Sequence, residues 1–117
     1  FLVGSFSPRV MDPQLLGAWV VFWSLIRHSE HVSQSHEKSY GAYLDLLRQL
    51  LDDLAASEDF VIHDTRLAAL GLAAMLDGLW IEWCLNPETF SPANGLHICR
   101  CWVKGLRHGA FSTHDVR

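Results

Sequence analysis

The sequence predicts an all-α fold, an antiparallel helical bundle, from three observations. Apolar residues recur every three or four positions along most of the chain, Asp12-Pro13, Asp64-Thr65 and Ser91-Pro92 stand where helix starts require them, and no segment shows the two-residue alternation of a strand. With 117 residues, 50% of them hydrophobic and 19% charged, the chain reads as one domain with a real core and not as a disordered segment. Five tryptophans are many for that size, so either the core is rich in aromatic rings or some rings meet something outside it.

The chain starts without methionine, and Phe1 to Phe6 reads as the tail of an element that begins upstream. Asp12 caps and Pro13 opens the first complete helix, expected over residues 12 to 29, where Leu15, Trp19, Phe22, Trp23 and Ile26 keep helical spacing. Its middle, Ala18 to Trp23, is apolar on every side and is expected to be covered on more than one of them. A polar break at 28–33 precedes a second, amphipathic helix with Tyr40, Tyr43, Leu44, Leu47, Leu50, Leu51 and Leu54 on its apolar side. Ser57 to Asp59 is a turn signal, Asp64 or Thr65 caps a third helix, and Asn86-Pro87 stops it after Leu85. Ser91-Pro92 begins a fourth, which ends between Gly105 and Gly109.

Between Leu67 and Leu85 only Asp77 and Glu82 are charged, so the third helix demands burial nearly all round, more than four helices of one chain readily supply. At about 100° per residue, Gly71, Ala74, Met75, Gly78 and Glu82 share one face, a small-residue stripe along which another helix can approach closely. Ala73, Leu76, Asp77, Trp80 and Cys84 fall on a different face. The small-residue face is either a crowded contact within the subunit or a dimer interface. The fourth helix favours the dimer, with Leu96, Cys99, Val103 and Leu106 in an apolar stripe and Trp102 beside it. Two helices from each subunit then form an intersubunit four-helix bundle with an isologous contact.

Charge and cysteine content exclude several function classes. A net charge of −4, with arginines and lysines scattered singly, argues against nucleic-acid binding by this chain, because counterion release needs a clustered basic face. Three cysteines make a poor disulfide framework and point to a reducing, cytoplasmic setting. The first residues lack the pattern of a signal peptide. The longest uncharged apolar run, Leu67 to Leu76, falls short of the roughly twenty residues a bilayer needs, so no membrane association is expected. Phosphate loop, nucleophile elbow and zinc-protease spacing are all missing, which makes the chain a non-enzyme.

Near the C-terminus, His97-Ile-Cys99-Arg-Cys101 suggests a metal, yet on a helix Cys99 and Cys101 point about 200° apart. His97 and Cys101 could share an ion, but further ligands from Cys84, His108 or His114 have no recognisable spacing, so neither a metal nor a cofactor is expected. His28, His31, His36 and His63 fall mostly at helix ends and read as solvated.

Two motifs in order give the chain a family resemblance. The stretch Phe6 to Trp23 contains an Asp-Pro that leads into Ala18-Trp-Val-Val-Phe-Trp23, and the third helix contains Leu76-Asp-Gly-Leu-Trp80. Together they resemble the C-terminal domain of TetR-family transcriptional repressors of the BetI subclass, over about residues 1 to 108. The resemblance implies an N-terminal helix-turn-helix in the full-length protein, absent from residues 1–117, together with a core that binds a small effector and dimerisation through the last two helices. A polypeptide without the helix-turn-helix is not expected to bind an operator.

BetI repressors respond to choline, so the resemblance also implies a quaternary-ammonium effector, held by aromatic faces with an acid nearby. Trp19, Phe22 and Trp23 on the first helix, Tyr40 and Tyr43 on the second, and Asp77 and Trp80 on the third are the candidates. For each aromatic the alternative is ordinary core packing. Asp77 is the sharper feature, because a carboxylate inside an apolar helix is costly unless paired, with an effector or, in a purely structural role, with Arg66, Arg100, a histidine or a backbone group. The competing functional reading is a free-standing helical dimer that binds a small cationic or hydrophobic molecule, and a helical metal or haem carrier comes third.

Overall fold

The computed structural model describes residues 1–25 and 29–109, and among these every regular element is a helix. The elements in order are α1 (Leu2–Ser5), α2 (Pro13–Leu25), α3 (Glu30–Glu58), α4 (Thr65–Leu85) and α5 (Pro92–Arg107).

Three of the four foreseen starts form as the local chemistry requires. The Gln14 N–H donates to Asp12 Oδ1 at 2.9 Å, and the Leu67 N–H donates to Asp64 Oδ1 at 3.0 Å. Ser91 and Asn94 cap each other's backbone N–H at 3.2 Å, a full capping box ahead of Pro92. The start of α3 differs. The expected polar break lies inside the helix from Glu30 onward, because polar side chains at the solvent leave helical backbone bonds intact. The first helix, expected to end near residue 29, is described as far as Leu25; residues 26–28 lie outside the described residues, and Ser29 stands outside α2 and α3.

Helix α4 is the centre of the bundle, packed by α2, α3 and α5. Its Ala68, Ala69, Leu72, Ala73 and Leu76 meet Leu47 and Leu51 of α3, Cys99 and Leu106 of α5, and Phe6 and Met11 of the N-terminal segment. Alanines at the contact let the helix axes approach, and each fully buried leucine contributes about 1.5–3 kcal/mol. The core covers only one side of α4, for Leu70, Ala74, Gly78, Glu82 and Leu85 are exposed. By length and composition alone α4 also reaches the apolarity of a membrane span, which a count of uncharged residues did not register.

Helix α2 departs further from expectation. Instead of being covered on several sides, it rests on α4 and leaves Leu15, Trp19, Val21 and Leu25 exposed. The space beneath it is a cavity.

Candidate functional site

A cavity of about 310 Å³ lies under α2. Leu15, Trp19 and Trp23 of α2 form one wall, His36, Ser39, Tyr40 and Tyr43 of α3 another, and Asp77 and Trp80 of α4 the floor, with Val10 of the N-terminal segment also in the lining. A more open hollow continues from it past Trp23, His36, Tyr40 and Asp77 to Ile81. Helical spacing explains how each wall is built, since residues three and four apart present their side chains to one side.

The rings form a connected aromatic lining. Trp19 and Trp23 sit 6.3 Å apart between centroids, Tyr40 and Tyr43 6.4 Å apart, and His36 stacks on Tyr40 at 5.3 Å with the planes 17° apart. Trp80 is fixed from behind, its Nε1 donating to the Ser5 carbonyl at 3.0 Å.

Burial dominates the electrostatics. It raises the Asp77 carboxyl to about 6, against a smaller downward pull from His36. Among the described residues Asp77 forms no ion pair, and the pairings weighed for it with Arg66 and Arg100 are not made. Burial, with the Asp77 charge second, pushes the Tyr43 hydroxyl up to about 12 and raises Tyr40 as well. The Tyr43 oxygen is buried without a hydrogen-bond partner, a state that costs about 1–3 kcal/mol while it lasts.

Of the effector candidates, Trp19, Trp23, Tyr40, Tyr43, Asp77 and Trp80 line this one cavity. Phe22 does not line it; its ring packs edge-on against Trp19 at 5.5 Å and lies 6.1 Å from His36, so it supports the wall from outside. The sequence reading missed Val10, Leu15, Ser39 and His36. His36 was expected at a solvated helix end, and it is instead half-buried well inside α3, one turn before Tyr40. That i, i+4 step from Tyr40 is the signal that could have found it.

The dimer candidates divide. Ala74, Gly78 and Glu82 stand on the open side of α4, whereas Gly71, Met75, Leu96, Trp102 and Val103 are half-buried, and Met75, Leu96 and Trp102 pack against the subunit's own core. Cys99 corrects the expectation: it is fully buried inside the subunit, burial pushes its thiol up to about 11, and it cannot stand on a free face. Leu106, in the same stripe, is buried as well. His97 and Cys101 do meet, Nε2 to Sγ at 3.6 Å on the exposed side of α5, but among the described residues no third metal-ligating side chain joins them. His114 lies outside the described residues.

The match to known proteins agrees with this arrangement. A family described as the C-terminal part of BetI-type transcriptional repressors matches residues 1–108. The chain is 28% identical over 96 residues to the HTH-type transcriptional regulator BetI of Pseudomonas paraeruginosa, covering 81% of this chain and 46% of that protein. It is 27% identical over 104 residues to the regulator of the same name from Serratia proteamaculans, covering 87% and 49%. It thus spans about half the length of the curated relatives it matches. A crystal structure of a transcriptional regulator from Pseudomonas aeruginosa PAO1 shares the fold with a TM-score of 0.88 and 44% identity, over 100% of this chain and 55% of that one. These relatives are regulators and not enzymes, and the chain belongs to the BetI-type transcriptional repressors, whose C-terminal domain it matches.

Proposed function

We propose that this chain is the effector-binding and dimerising half of a TetR-type regulator, in which a small organic cation in the aromatic cavity controls operator binding by a part of the protein outside residues 1–117. The observation that carries the reading is the lining itself, the rings of Trp19, Trp23, Tyr40, Tyr43 and Trp80 around a carboxylate that has no ion pair among the described residues. A cation against such faces gains about 0.5–2 kcal/mol, and Asp77 supplies the opposite charge. A choline-like quaternary ammonium ion brings the positive charge and the methyl surface that an aromatic lining with one carboxylate suits.

A thermal-shift comparison of choline with its uncharged carbon analogue, 3,3-dimethylbutan-1-ol, tests the cation. At 100 times its dissociation constant, a ligand adds about 2.7 kcal/mol to stability. Choline is expected to raise the unfolding midpoint and the neutral analogue to leave it in place. An equal shift from both, or a choline shift that survives Asp77→Asn, removes the cation from the proposal.

Dimerisation is supported by the open sides of α4 and α5. Leu67, Gly71, Ala74, Gly78, Ile81 and Leu85 step along α4 at alternating four and three residues, and Asn94, Ile98, Cys101 and Gly105 do the same on α5. Such a repeat is the seam of a helix pair, and every member is exposed or half-buried in the single subunit. A second copy offers the same two seams, giving an isologous four-helix contact. On α5 this seam replaces Cys99, which faces inward. Sedimentation is expected to give a dimer at micromolar concentration; a monomer there sinks this part of the reading.

A further inference from the structure

We infer that Trp80 is a positioning residue that couples the cavity to the N-terminal segment, residues 1–11, through the hydrogen bond from its indole to the Ser5 carbonyl. The inference rests on the reading of the cavity as an effector site and adds the route by which occupancy leaves it.

Trp80 presents its ring to the cavity and spends its N–H on main chain 75 positions away, at 3.0 Å. The same segment meets the cavity twice more, since Val10 is itself a wall and the Phe1 ring lies 6.3 Å from that of Tyr43. Whatever fills the cavity therefore pushes on groups that touch residues 1–11.

The far side of the segment has no slack. Ser5 and Phe6 are buried, and the Phe6 ring fills the space above Gly95 so closely that a Cβ at that position would lie 2.5 Å from it. Inside the segment, the amides of Ser5, Phe6, Ser7, Val10 and Met11 bond to carbonyls of residues 1 to 7, so it moves as a unit. An N–H···O bond weakens steeply when stretched or bent. Pressure on the indole thus either draws Ser5 along or releases it, and Phe6 cannot absorb the motion by sliding inward over Gly95. The segment against α5, seated or released, is the two-state element that such coupling needs. The relatives are about twice as long and are matched in their C-terminal part, so in them this segment is where the chain enters the domain.

The test needs no effector, so it can fail independently of the cation reading. Trp80→Phe keeps a ring in the wall and removes the N–H. In the variant chain, hydrogen exchange at the amides of Phe6, Ser7, Val10 and Met11 is expected to speed up by about tenfold, with Leu47 and Leu51 of α3 unchanged. Coupling is reciprocal, so displacing the segment from its other side must reach the cavity. With 5-fluorotryptophan incorporated, Gly95→Ala is expected to shift the Trp80 fluorine resonance, assigned by its loss in Trp80→Phe, and to leave those of Trp19 and Trp23 in place. Phe6→Leu makes the same test by shrinking the wedge if the Gly95 variant does not fold. Unchanged segment exchange, exchange that rises equally throughout the chain, or an unmoved Trp80 resonance in a folded variant would overturn the inference.

Discussion

Burial of the Asp77 carboxyl in the cavity floor carries an energetic cost. The carboxyl titrates near 6 in the folded chain against an ordinary 3.8, so between those values the folded state holds more protons than the unfolded one. Its contribution to stability is therefore full below pH 3.8 and is lost as pH rises through about 6. Asp77→Asn is expected to stabilise the ligand-free chain at pH 7 to 8, on the order of 1–2 kcal/mol after allowance for solvent screening of the half-exposed group, and to gain nothing at pH 3.5. Thermal unfolding at the two pH values checks this. In the proposed site the ionised carboxylate is also the counter-charge for a cation, so choline affinity is expected to fall about tenfold per pH unit below 6, where the carboxyl is protonated. A flat profile in titration calorimetry would remove Asp77 from the site. The helical spacing of aromatic pairs made most of this wall legible in the sequence. Phe22 was misplaced because spacing locates a side chain only to within a face, and its ring packs against Trp19 and His36 without lining the cavity.

Helix ends are the elements' most local feature, and they were the most legible. The capping box joining Ser91 and Asn94 lies within one turn, so no distant contact can override it cheaply. Ser91→Ala is expected to cost about 1 kcal/mol, read as a lower denaturation midpoint with an unchanged slope. The end of α3 offers the opposite opportunity. Asp59 sits at φ 56°, in the left-handed region where a side chain is strained. Asp59→Gly is expected to add roughly 0.5–1 kcal/mol in the same measurement. The start of α3 was not legible, because a run of Ser, His, Gln and Glu satisfies a solvent-facing helix as well as a loop. That first part of α3 meets α2 across the cavity wall, where the His36 ring lies 6.1 Å from that of Phe22.

For the molecule as a whole, the proposed assembly rests on the open face of α4. Among the described residues nothing beyond α4's own nearby backbone lies within 4 Å of a Cβ built at Gly78, and glycine is about 1 kcal/mol worse than alanine inside a helix. Gly78→Glu should therefore leave the isolated subunit folded and yet place a charged side chain in the seam of the proposed dimer. Sedimentation is expected to show a folded monomer; a variant that remains dimeric places the interface elsewhere. The sequence by itself determined the four long helices, most of their boundaries, the family and the chemistry of the cavity wall, because helical periodicity and capping act over about four residues and are written in consecutive positions. Tertiary structure alone decided which face of α5 turns inward, burying Cys99 and leaving Cys101 out, and it alone brought the Ser5 carbonyl to Trp80. Both depend on contacts between residues far apart in the chain. Spacing along one helix cannot rank its faces until the neighbouring helices have claimed theirs.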